Sequence, residues 1–219
     1  MPPRHSDAYD PPTGPIPIVH RDDALLIVDK PEGLLSVPGR GAHLADSLLT
    51  RLQADDPEIL LCHRLDRDTS GVMVFARTKA AQRAMGLAFE KKRVTKRYAA
   101  RVWGAVAAET GTVDLPLIVD WENRPLQRVD HEIGRPSVTD WTRLDVGEVE
   151  SRLRLMPRTG RSHQLRIHMR EIGHPILGDP FYAEGPARDF PRLMLHAEGL
   201  KFAHPETGKV MRFAVPAPF

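Results

Sequence analysis

Hydrophobic and polar residues alternate along several short stretches of the chain, which is the pattern of half-buried β-strands. VTKRYAARVWG (residues 94–104) has this alternating character. GVMVFART (71–78) is instead a short run of β-branched and aromatic residues, which also predicts a strand. LMLHAEGLKFAH (193–204) and KVMRFAVP (209–216) are predicted to be two strands that PETG joins into a hairpin.

Three other stretches have apolar residues at helical spacing. They are HLADSLLTRLQ (residues 43–53), KAAQRAMGLAFEKKR (79–93) and SHQLRIHMREIG (162–173). For the last of these, Ser162 is a candidate N-cap and Gly173 stands just past the predicted end. The inner face of the second predicted helix comprises Ala81, Met85, Ala88 and Phe89.

The order of these elements predicts an α+β fold. Residues 24–39 indicate a strand, a turn and a second extended piece, and residues 111–119 and 137–156 give further strand candidates. Strands outnumber helices and do not alternate strictly with them, which favours a mainly antiparallel or mixed sheet over a doubly wound α/β fold. No linker divides the chain, so residues 17–219 are expected to form a single domain.

Composition limits the class of protein. The chain has 219 residues, of which 41% are hydrophobic, so a substantial core is expected. A formal charge of +2 is a weak argument for nucleic acid, which local clusters of cations must carry instead. Residues 1–16 are proline-rich and polar, and predict a flexible tail or an arm laid over the surface. One cysteine, Cys62, and no signal-like or membrane-spanning run lead us to expect a cytoplasmic protein.

The segment HRLDRDTSG (residues 63–71) holds two carboxylates one residue apart. Asp68 stands directly before the turn-forming TSG, so a local hydrogen bond or solvent exposure explains it. Asp66 follows the apolar Leu65 and is better placed to point inward. A carboxylate near apolar walls needs a cationic partner, or its pKa rises and it becomes neutral.

The richest source of such a cation is RTGRSHQLRIHMR (residues 158–170). Arg166 lies beside the apolar stripe of the predicted helix and could hold a buried carboxylate with both arms of its guanidinium. A plain surface arginine is an equal alternative. A second basic cluster, EKKRVTKRY (90–98), has five cations in nine residues and ends in Tyr98, which fits either RNA stacking or a core tyrosine.

Several other chemistries fit the sequence poorly. There is no glycine-rich phosphate loop, and HRLD is out of register with the kinase motif H-R-D. DTSG carries an inserted residue relative to the D-T-G of aspartic proteases, which also need a second carboxylate. His163, His168 and His174 lack the spacing of a helical metal site, so no metal is expected. Adjacent Cys62 and His63 would point to opposite faces, which disfavours a nucleophilic pair.

Taken in order, HRLDRDTSG, KRYAARVWG, RTGRSHQLRIHM, GHPILGD and LMLHAEGLKFAHP resemble the RluA family of pseudouridine synthases. The resemblance runs from about residue 24 to the C-terminus. It implies the pseudouridine synthase fold, a mainly antiparallel sheet in two halves flanked by helices with the active cleft between them. It also implies isomerisation of uridine to pseudouridine in RNA without a cofactor.

The resemblance assigns roles to individual residues. Asp66 matches the catalytic aspartate, Arg166 the arginine that pairs with it, and Tyr98 the tyrosine that stacks on the target base. Arg64 matches the residue that enters the helix stack when the target base flips out. Further RNA contacts are expected from His63, Arg161, His163 and Gln164.

Some features resemble in particular those family members that act on both 23S rRNA and tRNA. These features are LLSVPGR, DLPLIVDWENRP and the lack of an S4-type RNA-binding domain. The expected substrates are therefore uridines in stem-loops of 23S rRNA and in the tRNA anticodon stem-loop, with no membrane partner and a monomeric enzyme. Two alternatives stay open at this point: an RNA-binding module without catalytic activity, and a hydrolytic glycosidase with a second carboxylate.

Overall fold

The structure is a computed structural model that describes residues 9–219. The start of the predicted N-terminal tail, residues 1–8, therefore lies outside the described residues. The helices and strands of the described chain, in order, are β1 (Ile18–Arg21), β2 (Leu25–Lys30), α1 (Leu48–Asp55), β3 (Leu60–Leu61), β4 (Ser70–Ala76), α2 (Lys79–Glu90), β5 (Thr95–Trp103), β6 (Thr110–Asp114), β7 (Leu117–Val119), β8 (Gln127–Val129), β9 (Val138–Val146), β10 (Glu150–Pro157), α3 (Gln164–Glu171), β11 (Leu195–Ala203) and β12 (Val210–Ala214).

The chain forms two compact units, each built around its own core. The first contains the chain up to Thr95 together with Ala197–Pro218, and the second contains Lys96–His196 and Phe219. The expected strand and helix content is confirmed: three α-helices accompany mostly antiparallel strands in residues 9–219, which is an α+β fold. The single domain expected over residues 17–219, and a cleft between two halves of the sheet, stay predictions.

In the first unit the strand order is β1, β2, β4, β11, with β3 also paired to β4 and β12 to β11. All seven residues of β4 are buried, which explains its continuous apolar sequence. Gly71, the second residue of this buried run, has φ +116°, and an added Cβ would lie 2.3 Å from the carbonyl oxygen of Ala197. Only glycine therefore lets β4 approach β11 so closely.

The first helix starts later than its apolar spacing predicts. The prediction covered residues 43–53, but α1 begins at Leu48. The reason is a capping box: the Thr50 amide donates to the Ser47 hydroxyl (3.2 Å), and the Ser47 amide donates to Thr50 Oγ1 (2.9 Å). By contrast α2 begins where predicted, at Lys79, and buries Ala81 and Met85, although it ends at Glu90, three residues before the predicted end.

In the second unit the strand order is β5, β10, β9, β6, all antiparallel, and β7 and β8 form a separate hairpin. Side chains of one face of this sheet form the core with α3. That face includes Ala100 of β5 and Leu153 and Leu155 of β10, and α3 contributes Leu165 and Met169. The helix that carries Arg166 and the strand that carries Tyr98 therefore contribute side chains to the same core.

The start of α3 differs from prediction. Ser162 is not the N-cap; His163 takes that position with a left-handed φ of 54° and no side-chain cap. The end is as predicted, since Gly173 follows the last turn with φ 85°.

The segment between Tyr9 and Pro17 contacts the first unit through hydrogen bonds. The Tyr9 hydroxyl donates to the carbonyl of Asp46 (3.0 Å) and accepts from the Leu35 amide (2.9 Å). The Pro12 carbonyl accepts from Arg51 at 2.8 Å. These contacts correspond to the arm alternative for this part of the predicted tail. Among the described residues no helix has the length and apolar character needed to cross a membrane.

Candidate active site

The loop that carries the two aspartates, residues 62–69, is called the HRLD loop here. Its backbone is held from below by two buried side chains. Ser36 Oγ donates to the Leu65 carbonyl (2.7 Å) and accepts from the Leu65 amide (3.1 Å). Lys30 is fully buried, and its Nζ donates to the Arg67 carbonyl at 2.8 Å. The carbonyl of Asp66 accepts from the Thr69 amide (3.2 Å), which closes the turn before β4.

The two aspartates of this loop have different surroundings. Asp66 is half-buried and follows the buried Leu65, as its sequence position indicates. The carboxylate of Asp68 accepts from Nε of the adjacent Arg67 at 2.7 Å. Asp68 therefore takes part in a local interaction that the loop makes with itself.

The first two residues of HRLD also differ. Nε2 of His63 accepts a hydrogen bond from the Val74 amide of β4 at 3.1 Å. The His63 ring also packs against the Phe89 ring, with 4.7 Å between the centroids. Arg64 is exposed. Of these two predicted RNA-binding residues, Arg64 is accessible enough to contact RNA, whereas Nε2 of His63 already accepts a hydrogen bond from the backbone of β4.

In the second unit, Lys96 and Tyr98 occupy alternate positions of β5 and so face the same side of the sheet. Tyr98 is half-buried and packs against the core. Lys96 Nζ donates to the Thr159 carbonyl at 3.0 Å. Desolvation lowers the pKa of Lys96 to about 8.

Residues 158–163, which we call the RTGR loop, lead into α3 and are held together by Gln164. Its Oε1 accepts from Thr159 Oγ1 (2.7 Å) and from the Arg161 amide (3.0 Å). Its Nε2 donates to the Val138 carbonyl and to Thr139 Oγ1, each at 3.0 Å. Gln164 is predicted above to contact RNA, but its amide is turned into the protein, where these four bonds occupy it.

Two further predicted RNA-binding residues belong to the RTGR loop. Arg161 is exposed, as contact with RNA requires. His163 is half-buried; its Nδ1 lies 2.7 Å from the Tyr182 hydroxyl and its ring stacks on Phe181. The Tyr182 hydroxyl also accepts from the Gln127 amide (2.9 Å), so it joins the β7–β8 hairpin to the start of α3.

The fork that the sequence suggested for Arg166 is present, and its buried partner is Asp179. Nε and Nη2 of Arg166 donate to the two carboxylate oxygens, each at 2.7 Å. Arg166 is 2% exposed and Asp179 is fully buried, which rules out a surface arginine. The guanidinium also lies over the rings of Phe181 (5.1 Å) and Tyr182 (5.2 Å). Pairing of Arg166 with Asp66 stays a prediction.

Asp179 is a functional candidate that the sequence analysis missed. Besides the arginine, its carboxylate accepts from the amides of Phe181 (2.9 Å) and Tyr182 (3.1 Å). The preceding Gly178 has φ +70°, and an added Cβ would lie 1.8 Å from the Arg192 carbonyl oxygen. The available signal was GHPILGD, in which a glycine needed for backbone geometry stands next to an acidic residue.

The remaining chemical candidates have structural roles or none. His168 is buried, its Nδ1 lies 2.9 Å from Thr139 Oγ1, and burial lowers its pKa. His174 Nδ1 lies 2.8 Å from the Trp103 carbonyl. No cluster of three or more metal-binding side chains occurs within residues 9–219. Burial raises the pKa of Cys62 to about 12, so its thiol is a poor nucleophile.

Comparison with known proteins gives a consistent relationship. The family model described as RNA pseudouridylate synthase matches residues 24–171, which includes the HRLD loop, Tyr98 and Arg166. The chain belongs to the RNA pseudouridylate synthase family. It is therefore an RNA pseudouridine synthase, which is an isomerase.

Relatives within the family match almost the whole chain. The dual-specificity RNA pseudouridine synthase RluA of Escherichia coli K12 is 50% identical over 96% of this chain and 98% of that protein. The protein of the same name from Vibrio vulnificus is 50% identical over 96% of this chain and 87% of that protein.

Solved structures agree with the fold. Human RNA pseudouridylate synthase domain containing 1 has a TM-score of 0.79 and 32% identity, covering 95% of this chain and 86% of that chain. Human RNA pseudouridylate synthase domain containing 4 has a TM-score of 0.75 at 24% identity over 92% of this chain and 88% of that chain, which supports the fold alone.

Proposed function

We propose that the chain converts uridines in stem-loops of both 23S rRNA and tRNA into pseudouridine, acting as a monomer in the cytoplasm. The main support is the similarity to relatives named dual-specificity RNA pseudouridine synthases, which extends over 96% of this chain and nearly the full length of the relative from Escherichia coli. The tRNA target would be a uridine of the anticodon stem-loop. Similarity of this extent includes the loops that would contact RNA, not only the core.

The proposed reaction is an isomerisation within one nucleotide. The N1–C1′ glycosidic bond breaks, the uracil turns, and C5 becomes bonded to C1′. C5 loses its proton and N1 gains one, so atoms and electrons balance without an oxidant, a reductant or water. The protein must therefore supply at least two groups: one that promotes cleavage of the N1–C1′ bond and one that transfers a proton.

We assign the first role to Asp66, which can act as a nucleophile on the sugar or uracil or as a base on the ribose. Both routes need an ionised carboxylate in a fixed position. The backbone of the HRLD loop has such a position, because Ser36 and Lys30 hold it on either side of Asp66. In the predicted pairing, the guanidinium of Arg166 would donate hydrogen bonds that fix the position of the Asp66 carboxylate.

Asp179 supports this assignment through Arg166. Two hydrogen bonds of 2.7 Å involve Nε and Nη2 of the guanidinium, and Asp179 is itself fixed by two backbone amides. The orientation of Arg166 is therefore set before substrate arrives, which is the preorganisation that electrostatic catalysis needs.

Access to the target base requires that it leave the RNA stack, which costs a few kcal/mol. The exposed Arg64, two residues before Asp66, is suited to fill the vacated position with its planar guanidinium. Tyr98, on β5, is proposed to stack on the extruded base and to assist proton transfer at C5. Each would stabilise the flipped state, Arg64 by filling the gap in the RNA stack and Tyr98 by stacking on the base.

An exposed aromatic residue suggests a further RNA contact. Trp121, in the connection between β7 and β8, is 66% exposed, and the guanidinium carbon of Arg124 lies 3.4 Å from its ring centroid. An aromatic ring beside a cation can stack on an unpaired base while the cation neutralises a phosphate. We propose that this hairpin connection contacts the RNA beside the target loop.

The direct test uses purified protein and two stem-loop RNAs, one from 23S rRNA and one from tRNA, each carrying tritium at C5 of uridine. Formation of the C5–C1′ bond releases the label to water, so the proposal predicts tritium release from both RNAs and pseudouridine at one position in each. Release from one RNA alone would contradict dual specificity. Binding without release would favour an RNA-binding module, and free uracil would favour a glycosidase. Pseudouridine mapping in cells lacking the gene would identify the sites.

A further inference from the structure

Lys96 is a shielded cation without an acidic partner. Its Nζ makes one hydrogen bond within residues 9–219, the 3.0 Å bond to the Thr159 carbonyl. No carboxylate of the described chain forms an ion pair with it. An ammonium group has three donors, so the protein satisfies it only in part.

Lys96 is half-buried, and charges that are partly removed from water are normally paired. Desolvation is what lowers the pKa of Lys96 to about 8, with no compensating carboxylate to raise it. A ligand that supplies an anionic oxygen would provide the missing counter-charge. For an enzyme that acts on RNA, the phosphodiester is the anion present in every substrate.

The position of Lys96 fits a contact close to the target nucleotide. Lys96 and Tyr98 face the same side of β5, about 7 Å apart at two residues of strand. The RTGR loop passes next to Lys96 Nζ at Gly160, where an added Cβ would come within 3.3 Å of the ammonium nitrogen. A glycine there keeps the backbone close to Nζ without a side chain in front of it.

We propose that Lys96 binds a phosphodiester of the RNA backbone directly beside the target uridine. The inference rests on the RNA isomerase function above and on the assignment of Tyr98 to the target base. Lys96 then acts together with the exposed Arg161 of the RTGR loop. The start of β5 and the RTGR loop would hold the RNA backbone while Tyr98 holds the base.

The alternative is that Lys96 only fastens the RTGR loop to β5. In that case a neutral side chain that still donates to the Thr159 carbonyl would restore function. The two roles can be separated experimentally. A phosphate contact requires a charged side chain and weakens as salt is added, whereas a hydrogen bond to a carbonyl needs only a donor and is insensitive to salt.

The first experiment measures binding of a substrate stem-loop at several salt concentrations. Lys96→Met removes the ammonium but keeps the aliphatic stem, Lys96→Gln keeps a neutral donor, and the exposed Lys209→Met is the control. Full-length proteins also carry Asp66→Ala so that no turnover occurs. The slope of log affinity against log salt should become shallower by about one for both Lys96 variants and stay unchanged for Lys209→Met. Recovery of wild-type affinity and slope by Lys96→Gln would overturn the proposal.

The second experiment identifies the phosphate. Stem-loops are made with a single neutral methylphosphonate at each position around the target uridine. The protein with Lys96 should bind more weakly to the RNA in which one of the phosphates next to that uridine is neutral. Lys96→Met should bind that RNA and the unmodified RNA equally well, since the two changes remove the same interaction. Equal losses at every position for both proteins would contradict the contact. Wild-type protein is first assayed for tritium release, so failure of the proposed function is detected separately.

Discussion

Asp179 holds the guanidinium of Arg166 by two hydrogen bonds of 2.7 Å, and both side chains are inaccessible to solvent. A buried fork of this kind is sensitive to the loss of either partner, because the remaining charge has no water to solvate it. The pair joins the first turn of α3 to the residues that follow Gly178. It therefore sets the direction of a residue that the family resemblance assigns to catalysis.

Asp179→Asn should reduce kcat strongly and destabilise the fold by about 3–5 kcal/mol, since the arginine would keep its charge but lose its buried counter-ion. Arg166→Lys should also lose most activity, because an ammonium cannot fill the fork. Both are measured by tritium release and by urea unfolding. Asp189→Asn, an exposed carboxylate nearby in sequence, is the control that should behave as wild type. Near-normal kcat in Asp179→Asn would contradict a positioning role.

Gln164 is predicted to determine stability rather than RNA affinity. Gln164→Leu has a similar volume but leaves Thr159 Oγ1 and the Arg161 amide without their acceptor, and each unsatisfied buried group costs about 1–3 kcal/mol. Urea unfolding should show a loss of this order. Gln82→Leu, which removes one bond from a half-buried glutamine, should lose much less. Weaker RNA binding at unchanged stability would instead support direct RNA contact by Gln164.

His168 should make stability depend on pH. Burial lowers its pKa below the usual 6.5, so the unfolded chain binds more protons than the folded chain just below that value. Its contribution is therefore complete above about pH 6.5 and is lost as the pH falls toward the folded pKa. The unfolding free energy is to be measured from pH 8 to pH 5 for wild type and for His168→Gln, which cannot take up the proton.

The difference in stability between these two proteins should shrink as the pH falls, because only wild type must protonate a buried ring. Nδ1 of that ring is 2.9 Å from Thr139 Oγ1, which already accepts from Gln164, so the neutral form fits the network. A difference that stays constant over this range would contradict the lowered pKa.

The pattern of apolar residues predicts those elements whose structure depends mainly on their own sequence. α2 and β4 are examples, because a regular apolar face or a continuous apolar run decides their structure. Helix starts were less predictable, since caps are set by single side chains. The apolar spacing does not single out Ser47 as the cap of α1. The prediction of Ser162 as the cap of α3 is wrong, because His163 takes that position in a left-handed conformation.

For a related reason, the sequence identifies only some of the residues of the candidate site. Asp66 and Arg166 stand in long, distinctive motifs, so the sequence singled them out. Asp179 and Lys96 depend on partners in other elements, Arg166 and Thr159, and no spacing along the chain reveals these contacts. The inward orientation of Gln164 is likewise a product of tertiary packing.

Arg64 is predicted to affect base flipping and little else. Because the side chain is exposed, Arg64→Ala should change the unfolding free energy by less than about 0.5 kcal/mol. It should lower kcat/KM on a folded stem-loop more than on a short single strand of the same sequence, where the base is already unstacked. The exposed Arg83→Ala is the matched control. Equal losses on the two RNAs would argue against a role in flipping.

Asp66, and not Asp68, is the aspartate of HRLDRDTSG that we expect to perform the chemistry. The deciding measurement is the rate of tritium release from a 5-tritiated stem-loop by Asp66→Ala and Asp68→Ala, each first shown to be folded by thermal unfolding. We predict no release above background for Asp66→Ala and retention of most activity for Asp68→Ala, whose carboxylate pairs with the adjacent Arg67. Wild-type release by Asp66→Ala, or complete loss in Asp68→Ala alone, would contradict the assignment.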